Sequence, residues 1–314
     1  MSNSNEHFQF TDERFADLQM LRYRLNGFED LTLSQQIYIY CLAKATLMGR
    51  DITFDQQGKY NLRIRKTLEA IYKHYDGDRT SDDFKALEVY LKRVWFSSGI
   101  YHHYGCEKFK PGFSEHFFYE AVSLMPETEL PLRRGETKED LLDELVPVIF
   151  DEEVLPKRVN QTDGVDLVAT SACNFYEDVT QDEVERFYAR LKDGEDLTPP
   201  SYGLNSKLMK RNGEIVEKTW KEEGMYGSAI KEIISWLLKA QKYTENEQQA
   251  HVIDLLIKYY RTGDLSDFDR YSIAWVKQQE GMVDFINGFI EVYGDPLGLK
   301  GTWEGLVEFK DMEA

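Results

Sequence analysis

The sequence predicts an α+β protein, mainly helical, and three observations carry that reading. Polar capping residues repeatedly precede apolar residues spaced three and four apart. An Asn-Gly pair at 212–213 stands between two short strand-like runs. Two further strand-like segments lie at the end of the sequence.

The elements follow in order. Thr32-Leu33-Ser34-Gln35 is a capping box, and Ile37, Tyr38, Cys41, Leu42, Ala45 and Met48 then share one helical face before Gly49. Leu62 to Tyr75 is a helix closed by Asp76-Gly77, and Phe84, Leu87, Tyr90, Leu91 and Val94 mark another that stops at Ser97-Ser98-Gly99. A shorter helix runs from Ser114 to about Leu124. Pro126 and Pro131 then divide a helical part, 1–125, from a mixed part, 126–314. In the mixed part Asp140 to Phe150 is helical, entered from Thr137. The β-branched run Val165 to Thr170 after Asp163-Gly164 predicts a strand. Thr180 to Glu183 is a second capping box, opening a helix to about Lys192. Leu204 to Met209 and Glu214 to Trp220 flank the Asn-Gly turn. Helices are expected at Tyr226 to Gln241, at Glu245 to Arg261 capped by Thr244 with Glu247, and at about Asp264 to Lys277. Strands follow at Asp284 to Tyr293 and Thr302 to Phe309.

Composition excludes several function classes. The 314 residues carry 38 basic and 56 acidic side chains, a net charge of −18 that repels phosphate backbones and anionic lipid. Nucleic-acid and membrane-surface roles are therefore not expected, whereas cationic groups such as a peptide's free amine would be attracted. No run approaches the 18 or so apolar residues of a membrane span. Met1 to Phe10 has neither a basic nor an apolar leader segment, so no secretory signal is read there. Cys41, Cys106 and Cys173 are odd in number and far apart, which argues for a reducing compartment. The localisation expected is cytoplasmic, or periplasmic if a leader was removed.

No complete catalytic motif is legible. None of the six histidines is followed by Glu, so no helical zinc motif is present, and no GxSxG, P-loop or GxGxxG occurs. His102 and His103, being adjacent, would point apart on any regular element. The informative segment is the last hairpin. Asn287, Phe289, Glu291 and Tyr293 would share one face of the first strand, and Glu304, Leu306 and Glu308 one face of the second. The turn-rich connection Gly294 to Gly301 would bring Glu291, Tyr293 and Glu304 to one wall of a cleft. The same pattern also fits a half-exposed hairpin with solvated acids.

Phe285 to Gly298 reads Phe-Ile-x-Gly-Phe-Ile-Glu-x-Tyr-x-Asp-Pro-x-Gly, and Gly301 to Val307 reads Gly-Thr-Trp-Glu-Gly-Leu-Val. Together with Gly224 to Ile230, Leu237 to Tyr243, Tyr259 to Asp264 and Tyr101 to Pro111, these segments resemble the dipeptidyl peptidase III family, in its bacterial, Bacteroides-like form. The resemblance implies part of a two-lobed zinc metallopeptidase that releases dipeptides from the N-terminus of short peptides. It implies the lower, substrate-holding lobe, with a small, mostly antiparallel β-barrel-like sheet. The zinc motifs, His-Glu-x-x-x-His and a later Glu-Glu-x-x-Ala-Glu type, would lie in a partner lobe, with no metal ligand in this chain and no activity from it alone.

Residue by residue, the resemblance assigns Glu291 and Glu304 to the substrate ammonium and Tyr293 to the scissile carbonyl as an oxyanion donor. It assigns Tyr104, with His103, to an aromatic wall for the dipeptide. Gly294 stands where animal members have Arg, and Cys106 where they have Asp. Two other readings stand beside this one: a peptide-binding protein without catalysis, and an interaction domain.

Overall fold

The computed structural model describes residues 8–192 and 194–311. The first seven residues of the leader reading, His7 among them, lie outside the described residues. A short antiparallel pair, β1 (Thr11–Phe15) and β2 (Leu18–Leu21), precedes six helices: α1 (Leu33–Met48), α2 (Arg50–Gln56), α3 (Asn61–His74), α4 (Asp82–Ser97), α5 (Glu115–Leu124) and α6 (Lys138–Phe150). Next come β3 (Tyr176–Glu177), α7 (Gln181–Ala189), β4 (Ser206–Arg211) and β5 (Glu214–Thr219). The helices α8 (Gly227–Ala240), α9 (Glu247–Thr262) and α10 (Leu265–Lys277) lead to the hairpin of β6 (Val283–Glu291) and β7 (Thr302–Phe309). No described helix is long and apolar enough to cross a membrane.

Local chemistry fixes most boundaries. The side chains of Thr32, Thr137 and Thr180 each accept the N3 amide, and their own backbone N–H groups donate to the N3 side chain to complete a capping box, while Ser81 and Ser114 cap α4 and α5. Asn212 and Gly213 both take positive φ, 52° and 83°, which lets two residues join β4 to β5 with the natural strand twist.

Three expectations are corrected. Val165 to Thr170 is a series of turns, because the Asp166 side chain accepts the Ala169 and Gln181 amides and its carbonyl receives the Thr170 amide. The N-cap of α9 is Asn246, which accepts the Gln249 amide. Glu245 is drawn away to receive the amides of Met282 and Val283 at the start of β6. The β-barrel-like sheet is not formed. The described strands make separate sheets of two, three and two strands, and barrel closure needs one unbroken ladder around a ring.

Two large cores result. One gathers side chains between Phe54 and Ala172, chiefly from α3 to α6. The other joins Tyr38, Leu42 and Ala45 of α1 to α8, α9 and the last hairpin. A small third core under α7 holds Val184, Tyr188 and Leu208. The last hairpin thus packs against both early and late helices of the chain.

Candidate functional site

Phe289 and Trp303 oppose each other across β6 and β7 with ring centroids 5.6 Å apart, and the Phe289 ring packs on Trp220 at 4.7 Å. Asn287 is also buried there, its Oδ1 accepting the Tyr260 hydroxyl at 2.6 Å. Register then slips: Phe289 pairs with Trp303 but Glu291 pairs with Thr302, so Ile290 is an extra residue on β6. Such a bulge bends a strand and re-aims the side chains after it. The expected common face of Asn287, Phe289, Glu291 and Tyr293 is therefore broken. Asn287 and Phe289 point into the core, Glu291 is exposed, and Tyr293 lies past the end of β6, 86% exposed.

Glu291 pairs with Thr302 across the slip, and its charge is felt at Glu304. Partial burial pushes the Glu304 carboxyl up, and the Glu291 charge pushes it further the same way. Two carboxylates held like this favour a shared cation.

The connection from Val292 to Gly301 is built on one buried acid. Asp295 Oδ2 accepts the Tyr176 hydroxyl at 2.8 Å and the amides of Leu299 at 2.7 Å and Lys300 at 2.9 Å. Burial raises its carboxyl in spite of these bonds. Lys300 is fully buried, its ammonium against the Tyr188 hydroxyl and 3.1 Å from Ser206 Oγ. Neither residue carries a role in the sequence reading. The only signal is the Asp-Pro-x-Gly turn itself, in which Gly298 takes φ 64°.

Tyr104 and His103 lie on the loop after α4. Tyr104 is 86% exposed, and His103 is wedged between Phe96, ring centroids 5.0 Å apart, and Tyr104 at 4.5 Å. The His102 and His103 rings stack at 4.4 Å rather than pointing apart, because this loop is not a regular element and Cys106 turns it with φ 64°. Burial, then the neighbouring His102, lowers the His103 pKa, so its neutral form is favoured. No hydrogen bond, ion pair or ring contact among the described residues joins this loop to the β6–β7 hairpin. Among the described residues no group of three or more His, Cys, Asp or Glu side chains is arranged to hold a metal ion. The described residues thus do not fit the zinc that the resemblance implies.

The hairpin lies within a segment of defined class: residues 202–314 match peptidase family M49. Over most of its length the chain is similar to dipeptidyl peptidase 3. It is 21% identical over 318 residues to that protein from Dictyostelium discoideum, covering 93% of this chain and 44% of the relative. It is 23% identical over 314 residues to the one from Homo sapiens, covering 90% and 42%. The chain thus spans less than half the length of the curated relatives it matches. The solved structure of DPP III from Caldithrix abyssi superposes with a TM-score of 0.60 at 17% identity, covering 93% of this chain and 42% of that one. That from Corallococcus sp. strain EGB gives 0.59 at 14% identity, covering 92% and 41%. At such identities the likeness is one of fold.

Proposed function

We propose that this chain is the substrate-holding lobe of a zinc-dependent dipeptidyl peptidase, and that its β6–β7 hairpin receives the free N-terminus of a short peptide. The observation that carries the reading is a half-buried Glu304 that feels the charge of Glu291, which follows the Ile290 bulge. The Glu291 charge adds to the cost of ionising Glu304, and an ammonium beside them relieves that repulsion through short charge-assisted bonds. Tyr293, exposed just past β6, is assigned the oxyanion of the attacked carbonyl, and Tyr104 with His103 an aromatic wall for the dipeptide side chains. Backbone pairing with a strand would hold the peptide irrespective of its sequence. Zinc and the general base are assigned to sequence outside these residues, in a second lobe. The hydrolytic activity is therefore that of the longer protein. A cytoplasmic setting accords with three cysteines free of disulfides.

The test is a titration of the chain with a free-amine tetrapeptide and its N-acetylated twin. The free amine should bind at least tenfold more tightly near pH 6.5, and Glu291→Gln should abolish the difference. Binding should strengthen as pH rises through the raised Glu304 pKa, then weaken above about 8 as the peptide amine loses its proton. Equal affinity for the two peptides sinks the reading.

A further inference from the structure

A cavity of about 780 Å³ opens between the end of α2, the β3–β4–β5 sheet and the loop entering α8, and none of the residues given a role above lines it. Its volume lies within the range of small-molecule sites, about 300–1,000 Å³. What distinguishes it is the state of its charges. Three carboxylates line it and all three are occupied. Glu177 pairs with Lys207 at 2.7 Å and Arg211 at 3.5 Å. Glu217 Oε1 accepts the hydroxyls of Tyr188 and Ser206, both at 2.6 Å. Asp55 accepts the Tyr226 hydroxyl at 2.6 Å and the Asn174 amide at 3.0 Å, and its burial favours the neutral form.

The cations are otherwise. Lys207 is buried and committed to Glu177 and to Asn174 Oδ1. Lys59, Lys218 and Lys221 also line the cavity, and among the described residues none has a carboxylate within ion-pair distance. Lys59 helps depress the Glu177 pKa from further off and sits over the Tyr60 ring at 5.9 Å. Acids outnumber bases by eighteen in this chain, so three unpaired ammonium groups around one cavity run against its composition. Met209 and Met225 supply an apolar, adaptable part of the wall.

We propose that this cavity binds a small organic anion carrying two or more negative charges, the chemistry shared by phosphate esters and polycarboxylates. Lysine ammoniums act as mobile point charges, and no arginine among the described residues lines the cavity to impose a planar fork. Recognition therefore ranks ligands by charge, and salt weakens it.

The probes are citrate, pyrophosphate, acetate and glycerol, titrated calorimetrically into the full chain at 10 mM NaCl. Citrate and pyrophosphate should bind at least tenfold more tightly than acetate, glycerol should give no heat, and 300 mM NaCl should cost at least tenfold. Tighter binding of pyrophosphate identifies a phosphate ligand, and tighter binding of citrate a polycarboxylate. The triple variant Lys59→Gln, Lys218→Gln, Lys221→Gln should lose at least tenfold in affinity. A control triple of equal charge change, Lys44→Gln, Lys85→Gln, Lys138→Gln, should keep wild-type affinity. Absence of binding by both multivalent anions overturns the proposal, and so does an equal loss in the two triple variants.

Discussion

An ammonium taken out of water needs acceptors, and Lys300 finds hydroxyls in place of a direct carboxylate. Its Nζ meets Tyr188 and Ser206, and both hydroxyls donate onward to Glu217. Burial lowers the Lys300 pKa to about 8, against the opposing pull of Glu217 and Asp295. The unfolded value is about 10.4. Between these two values the unfolded chain holds a proton that the folded chain has released, so stability rises with pH there and is lost as pH falls toward 8. The slope is at most about 1.4 kcal/mol per pH unit for one such group. Lys300→Met removes the titration while keeping the volume. Urea unfolding of the two proteins should show wild type gaining about 1–2 kcal/mol on the variant between pH 8 and 9.5. A pH-independent difference would mean that this ammonium does not titrate in that window. The buried tyrosines ionise only at higher pH and are common to both proteins.

At the scale of elements, α2 and β7 are joined through one side chain. Gln56, the last residue of α2, is wholly buried; its Oε1 accepts the Trp303 amide at 2.8 Å and its Nε2 donates to the Gly301 carbonyl at 3.1 Å. The Trp303 indole lies over Gly49, where a Cβ would fall 1.8 Å from the ring. This clamp fixes where β7 starts, and hence where Glu304 stands relative to Glu291. Gln56→Met would leave a buried N–H and a buried C=O without partners, at about 1–3 kcal/mol each. Chemical denaturation should register a loss of about 2–5 kcal/mol; less than 0.5 kcal/mol would show the clamp to be redundant.

The same residues explain what could be read beforehand. The caps at Thr32 and Thr180 and the Asn212-Gly213 turn are written within four residues of where they act, and the structure keeps them. Gln56 and Lys300 act on partners 245 and 94 or more positions away, so nothing beside them in the chain announces their task. The Ile290 bulge is a slip in pairing and changes no letter of an alternating pattern, so alternation alone puts Glu291 on the face of Asn287 and Phe289. β1 and β2 are short and almost wholly exposed, with no apolar alternation to mark them in the sequence.

For the molecule as a whole, the excess of eighteen negative charges competes with its own ion pairs. Pairs such as Lys110–Glu152 and Lys231–Glu223 have both partners more than half exposed. Exposed pairs of this kind contribute about 0–1 kcal/mol each and weaken in salt. Repulsion among unpaired acids is summed over the whole surface and opposes the compact state. Raising NaCl from 10 to 100 mM shortens the screening length from about 30 to about 10 Å, which removes the distant repulsions first and spares contacts a few ångströms long. The repulsive sum should therefore win. The melting temperature at pH 7 should rise by about 2 °C or more over that range in scanning calorimetry, since one kcal/mol moves a domain of this order by about that much. A fall would mean that ion pairs hold the fold more than its surplus charge strains it. The same increase in salt should weaken an anion held by Lys59, Lys218 and Lys221. Fold and cavity therefore respond to salt with opposite signs, so a loss of anion binding at 100 mM NaCl cannot be put down to a loosened protein.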